Sequence, residues 1–259
     1  MCGEHLTLQR PRALAMVSSG RFVAVRRSFG IEVIDALGAS PRCTLERAAD
    51  DFAIVGHELW VLAGAAIERF GIEGLRPIEP AVDVGAGAQR VHACADGNAA
   101  SALVTGARTL VVETARGRAQ TFEIPPLDMP VFPLGGRRLL AAGTPLRIIE
   151  AGRGEIARLA CADRGALAAS YLFGGRALVV LFDSAFVVLA PQGGLIHRIE
   201  VPSPRAWAIA ESRGTALLAL ADGRLITVDL RYGRVLAELE APLAIEDIAI
   251  DTAGQFAAF

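Results

Sequence analysis

The run Asp222-Gly223-Arg224-Leu225-Ile226-Thr227-Val228-Asp229-Leu230-Arg231-Tyr232-Gly233-Arg234-Val235-Leu236 decides the fold. Two turn signals, Asp222-Gly223 and Tyr232-Gly233, bracket an apolar stretch that closes on Asp229, and a further extended stretch follows the second turn. Glycine after a short or polar residue supplies the left-handed backbone that a tight turn between strands requires. Upstream, Arg213-Gly214 leads into the apolar run Leu217-Leu218-Ala219-Leu220, and Trp207-Ala208-Ile209 precedes that glycine. Three turns therefore join four extended segments, and the unit is a four-stranded antiparallel sheet.

The same unit recurs along the chain. First turns fall at Ser19-Gly20, Gly56-His57, Asp96-Gly97, Gly135-Gly136, Gly174-Gly175, Arg213-Gly214 and Ala253-Gly254, separated successively by 36, 41, 38, 39, 40 and 40 residues. Third turns follow at Gly38, Gly74, Gly117, Gly154, Gly193 and Gly233, offset from the first by 18 to 20 residues. A fixed period near 40 residues marks a repeat architecture. Within each unit the first strand is rich in small residues, as in Phe52-Ala53-Ile54 and Trp207-Ala208-Ile209, which suits a crowded axis. The second is continuously apolar, as in Leu59-Trp60-Val61-Leu62 and Leu178-Val179-Val180-Leu181, and must be buried on both faces. The third often closes on an acid, at Asp35, Glu113, Glu150 and Asp229. The fourth alternates polar with apolar, as in Leu195 to Val201 and Arg234 to Glu240, and reads as an outer strand with one wet face. Sheets of this kind hide their apolar faces only against each other, and the expected fold is all-β, a β-propeller of four-stranded antiparallel blades.

The Asp222 to Leu236 run resembles the D-G-x-[IV]-x-[VL]-[WY]-D-x-x-[TS]-G-x-x-[LV] stretch of the WD40 and YVTN group of propellers, and the likeness extends over essentially the whole chain. Ile34, Val112, Ile149 and Val228 stand where that family's repeat has tryptophan, and Gly56-His57 falls in a first turn instead of at the family's Gly-His position. The chain is thus WD40-like without the strict signature, and its stability is expected to rest on apolar packing in place of the family's buried His-Asp network. A quinoprotein propeller would repeat a tryptophan in each blade, whereas only Trp60 and Trp207 occur.

Residues 1–259 read as one propeller domain, with blades at about 12–47, 50–85, 88–125, 128–165, 166–203 and 204–243, and a partial seventh at 244–259 for which residues 5–10 would supply a closing strand. A seven-bladed ring is favoured and a six-bladed ring with a surplus hairpin is the alternative. In either case an open strand edge near Gln255–Phe259 is expected to invite pairing with another chain.

Composition narrows the function. The chain is 53% hydrophobic, but its greasiest stretch, Ala177 to Pro191, is interrupted by Asp183 and Ser184, so no membrane insertion is expected. Met1 to His5 offers neither a basic nor an apolar region of a secretory signal, and Cys2, Cys43, Cys94 and Cys161 form no C-x-x-C pair. Reduced thiols and a cytoplasmic location follow as expectations. A net charge of −2 gives no field for nucleic acid. All 26 basic residues are arginine, which removes P-loop and Schiff-base lysine chemistry. No nucleophile elbow or complete dinucleotide loop is found, and His57-Glu58-Leu59-Trp60-Val61 lacks the second histidine of a zinc-protease motif. No catalytic residue, metal site or cofactor is assigned.

A site hypothesis comes from charges just ahead of the inner strands: Arg12, Asp51, Arg90, Asp128, Arg164, Arg205 and Asp247. They would ring one mouth of the axial channel and favour a polar or zwitterionic ligand or an oppositely patterned protein. The expected function is a non-catalytic scaffold for protein or ligand binding, as the propeller part of a larger, bacterial-looking chain, with a protein partner. The alternative is a propeller hydrolase or lyase with an acidic, metal-dependent mouth built on Asp51, Asp128 and Asp247.

Overall fold

In the computed structural model, the described residues are 14–16, 20–38, 43–94, 100–115, 118–241, 245–251, 253–255 and 257–258. Among them every regular element is a strand. Blade one holds β1 (Leu14–Met16), β2 (Phe22–Arg27), β3 (Gly30–Asp35) and β4 (Cys43–Leu45). Blade two holds β5 (Asp51–Val55), β6 (Glu58–Ala63), β7 (Ala66–Gly71) and β8 (Arg76–Asp83). Blade three holds β9 (Ala88–Cys94), β10 (Ala100–Gly106), β11 (Thr109–Ala115) and β12 (Arg118–Ile124). Blade four holds β13 (Val131–Gly135), β14 (Arg138–Ala141), β15 (Leu146–Glu150) and β16 (Gly154–Leu159). Blade five holds β17 (Ala166–Leu172), β18 (Ala177–Phe182), β19 (Ala185–Leu189) and β20 (Leu195–Glu200). Blade six holds β21 (Pro204–Ala210), β22 (Thr215–Leu220), β23 (Arg224–Asp229) and β24 (Arg234–Glu240). A last hairpin pairs β25 (Ala249–Ile250) with β26 (Ala257–Ala258).

Each of the six full sheets runs in chain order with antiparallel neighbours, as three short turns dictate. Glycine makes those turns possible. Gly56 at φ +61° and Gly214 at φ +70° take a left-handed backbone that a side chain would resist. First strands form the axis: β1 touches β5, β5 touches β9, β9 touches β13 and β13 touches β17. Blade five meets blade six where the Phe173 amide donates to the Glu211 carbonyl at 3.1 Å. β25 touches β21 on one side and β1 on the other, so the hairpin stands in the seventh place and closes the ring. Six complete blades and a partial seventh are therefore the architecture. The segment 5–10 that was expected to supply a closing strand lies outside the described residues.

Packing follows the order of the blades. Val179 and Leu181 of β18 pack with Leu218 and Ile226 of blade six, while Leu178 and Val180 pack with Leu140 and Ile148 of blade four. Both faces of the strand are thus between blades, which is why its sequence does not alternate. Similar cores lie between blades one and two, two and three, and three and four. The core between blade six and the hairpin is smaller, with four buried residues, Ala206, Leu217, Ala219 and Ile248.

One sequence expectation needs correction. β24 was expected to keep one buried face, yet all seven of its residues are exposed. Its cross-strand pair Leu225 and Leu239 looks toward the seventh place, where two short strands stand among the described residues, and Leu239 is 60% exposed.

Candidate functional site: the channel mouth and the clasps between blades

Antiparallel order fixes what each end of the ring displays. A first strand entering at one mouth leaves at the other, so the strand entries and the second turns share the entry mouth. First and third turns crowd the opposite end, the turn face.

Of the seven charges proposed for the entry mouth, Arg12 lies outside the described residues. Asp51 opens β5 but is only 1% exposed. Its Oδ2 accepts the Val91 amide of blade three at 3.0 Å, and its Oδ1 lies 3.7 Å from Arg26 Nη2 of blade one. Arg26 also donates to the Ala49 carbonyl at 2.8 Å and lies over the Phe52 ring at 5.4 Å. Asp51 thereby clasps three successive blades, and its charge serves the ring. Arg205 is exposed at the start of β21 and donates to Glu246 at 3.3 Å. Asp247, half-buried ahead of β25, accepts the Ile248 amide at 2.9 Å. Arg90 is half-buried in β9, and Arg164 and Asp128 are exposed ahead of β17 and β13. Among the described residues neither Arg90 nor Arg164 forms a salt bridge. The structure thus divides the described members of the set into one buried clasp, two residues engaged locally, the half-buried Arg90, and the exposed Arg164 and Asp128.

The acids that close third strands sit on the turn face and hold the turns. Asp35 accepts Arg21 at 3.2 Å and the Leu37 amide at 3.0 Å. Glu113 accepts Arg137 of blade four at 2.6 Å, and that guanidinium stacks 4.0 Å from the Phe122 centroid. Asp229 accepts the amides of Arg231 and Tyr232 at 3.0 and 3.1 Å. A cleft of about 440 Å³ opens beside Asp35, between Phe22 and Cys43 of blade one and Ile72 and Arg76 of blade two.

Two further polar contacts are deep. The Ser170 hydroxyl of blade five donates to the Glu211 carboxylate of blade six. Burial pushes the Glu211 carboxyl up from its ordinary value, and the serine hydrogen bond only partly opposes that. In blade two, Arg69 is 2% exposed and its Nη1 lies 3.7 Å from Glu58 Oε2, which also accepts the Trp60 indole at 2.8 Å. Sequence reasoning missed Ser170–Glu211 and Asp51–Val91, although their separations of 41 and 40 residues match the repeat period. Burial also raises the Cys161 thiol, which disfavours its thiolate. Among the described residues, no group of three or more His, Cys, Asp or Glu side chains could hold a metal ion. Among the described residues no helix is long and apolar enough to cross a membrane.

The ring of six four-stranded blades and a closing hairpin defines the chain as a β-propeller, a fold that solved WD40 domains share. It is similar to the β-propeller domain of Myceliophteria thermophila Cps50 (Swd1), with a TM-score of 0.70 and 16% identity over 93% of this chain and 89% of that one. It is also similar to the C-terminal WD40 domain of Sif2, at TM-score 0.65 and 15% identity over 93% and 75% of the two chains. A chain of Kuenenia stuttgartiensis hydrazine synthase matches at TM-score 0.66 and 13% identity over 99% and 94%. Identities this low speak for the fold alone. No protein-family model matches the sequence, and no curated protein is similar to it in sequence.

Proposed function

We propose that the chain is a non-catalytic scaffold of the cytoplasm that holds a protein partner, or a polar ligand, at the entry mouth of its channel. Support for a scaffold comes from the fold, which is commonly used for protein–protein interaction and here resembles the domains named above. Support for the cytoplasm comes from Cys161, a free thiol. The observation that carries the mouth is the pair Arg90 and Arg164. Two guanidinium groups stand at strand entries without a salt bridge among the described residues, while Asp51 is spent on the clasp. An unpaired cation at a concave mouth steers and orients an anionic group, because the low-dielectric wall focuses its field.

The test compares the chain with an Arg90→Ala/Arg164→Ala double variant, each immobilised and exposed to cell extract. Capture of a defined protein that the double variant binds about tenfold more weakly, at an unchanged melting temperature, is the expected result. Equal capture by the two removes the mouth from the proposal.

A further inference from the structure

The turn face carries a second surface, on the far side of the ring from the entry mouth. Nine large apolar side chains are exposed among the described residues, and six of them fall on the outer strands of blades five and six and the turn between β23 and β24. Leu195 and Ile196, 64% and 46% exposed, begin β20. Tyr232, 64% exposed, tips the turn, and Val235 and Leu236 follow it. His197 joins the two groups into one rim. Its Nε2 lies 2.9 Å from the Arg231 carbonyl oxygen, and its ring is packed so closely on Gly233 that an added Cβ would meet Nδ1 at 2.8 Å.

Charge marks the same place. The Arg231 and Arg234 guanidinium groups lie 5.8 and 5.7 Å from the Tyr232 centroid, on an exposed turn. Among the described residues neither forms a salt bridge, in contrast to Arg21, Arg137 and Arg153, which meet carboxylates on the same face. The local carboxylate, Asp229, is occupied by backbone amides of the turn. An aromatic ring near two arginines, beside exposed aliphatic side chains, combines the residue types that dominate protein interfaces.

We propose that this rim docks an acidic segment of a partner protein, its carboxylates on Arg231 and Arg234 and its apolar side chains over Leu195, Ile196 and the start of β24. Among the described residues β24 is the outermost strand of its sheet, and it carries no proline, so its main-chain edge is open to an extended segment. β8, by contrast, carries Pro77 and Pro80. A single-stranded nucleic acid would also bring anions and stack on Tyr232, but it would leave the four aliphatic side chains uncovered, which favours protein. The surface is independent of the entry mouth and stands or falls separately from it.

Fluorescence anisotropy tests the rim with three labelled probes: a synthetic peptide alternating glutamate and leucine, its arginine–leucine counterpart, and an oligothymidine. The acidic peptide is expected to bind, and added salt to weaken it. Tyr232→Ala, and separately an Arg231→Glu/Arg234→Glu double variant, should each lower its affinity by about tenfold while the circular-dichroism melting curve is unchanged. The Arg90→Ala/Arg164→Ala variant should bind it as the parent does. Failure of the acidic peptide to bind, equal binding of the arginine–leucine peptide, preference for oligothymidine, or an equal loss in the mouth variant would overturn the proposal.

Discussion

Blade five and blade six are built from strands of the same kind, yet their outer halves meet different fates. β19 is buried at every residue, whereas its counterpart β23 is buried only at Ile226 and Val228, and β20 keeps Ile199 buried where β24 buries nothing. Ile199 of β20 is 5% exposed, and Leu239, one repeat later on β24, is 60% exposed. The difference lies in the neighbours. Among the described residues blade five has a full blade against each face, and blade six has one on a single side. Blade one mirrors it: on β3, Ile31 and Val33 pack toward blade two and are buried, while Glu32 and Ile34 are half-buried. Burial here belongs to the stack, and a blade's own sequence supplies only the capacity for it.

Substitutions can break or sharpen that contrast. The largest effect is expected for Leu181→Ala in β18, which should cost about 2–5 kcal/mol in denaturant unfolding, because both adjoining blades are rigid and the cavity cannot collapse. Next comes Asp51→Ala. It leaves the buried Val91 amide without its acceptor and should cost about 1–3 kcal/mol, which would mark Asp51 as a clasp instead of a ligand group. A loss below about 0.5 kcal/mol would return it to the ordinary surface charges.

The contact between blades five and six adds a pH dependence. The Glu211 carboxyl titrates above its ordinary 4.5 in the folded chain, so folding binds its proton more tightly. Its contribution to stability is therefore complete below the ordinary value and is lost as pH rises through the raised one. Glu211→Gln should flatten melting temperature against pH across that window and raise it at the alkaline end. An unchanged profile would mean that the Ser170 contact compensates fully for burial. The smallest effect is expected for Leu239→Ala on β24, within about 0.5 kcal/mol by the same unfolding measurement. A cost like that of Leu181→Ala would show that something covers β24 in solution.

Much of this was legible because glycine spacing is a backbone property. First-turn glycines at positions 20, 56, 136, 174, 214 and 254 all take positive φ, and the continuous apolar runs all became doubly buried second strands. Which charges would face solvent was not legible. Asp51 and Asp128 occupy the same notional place ahead of a first strand, but only Asp51 finds an amide and an arginine from neighbouring blades. A repeat period tells which residues come near one another and leaves open which of them hydrogen-bond. The exposure of β24 was hidden for a related reason, since Arg234 to Glu240 alternates as well as any outer strand and the thin seventh place lies elsewhere in the chain.

A closed ring with one thin segment has a preferred place to open. Among the described residues β25 and β26 hold two residue pairs between β21 and β1, so a fluctuation that parts blade six from blade one disturbs less of the described packing there than at the other junctions. Like a torc, the described ring is stiff through its six full blades and thinnest at the hairpin that joins its ends.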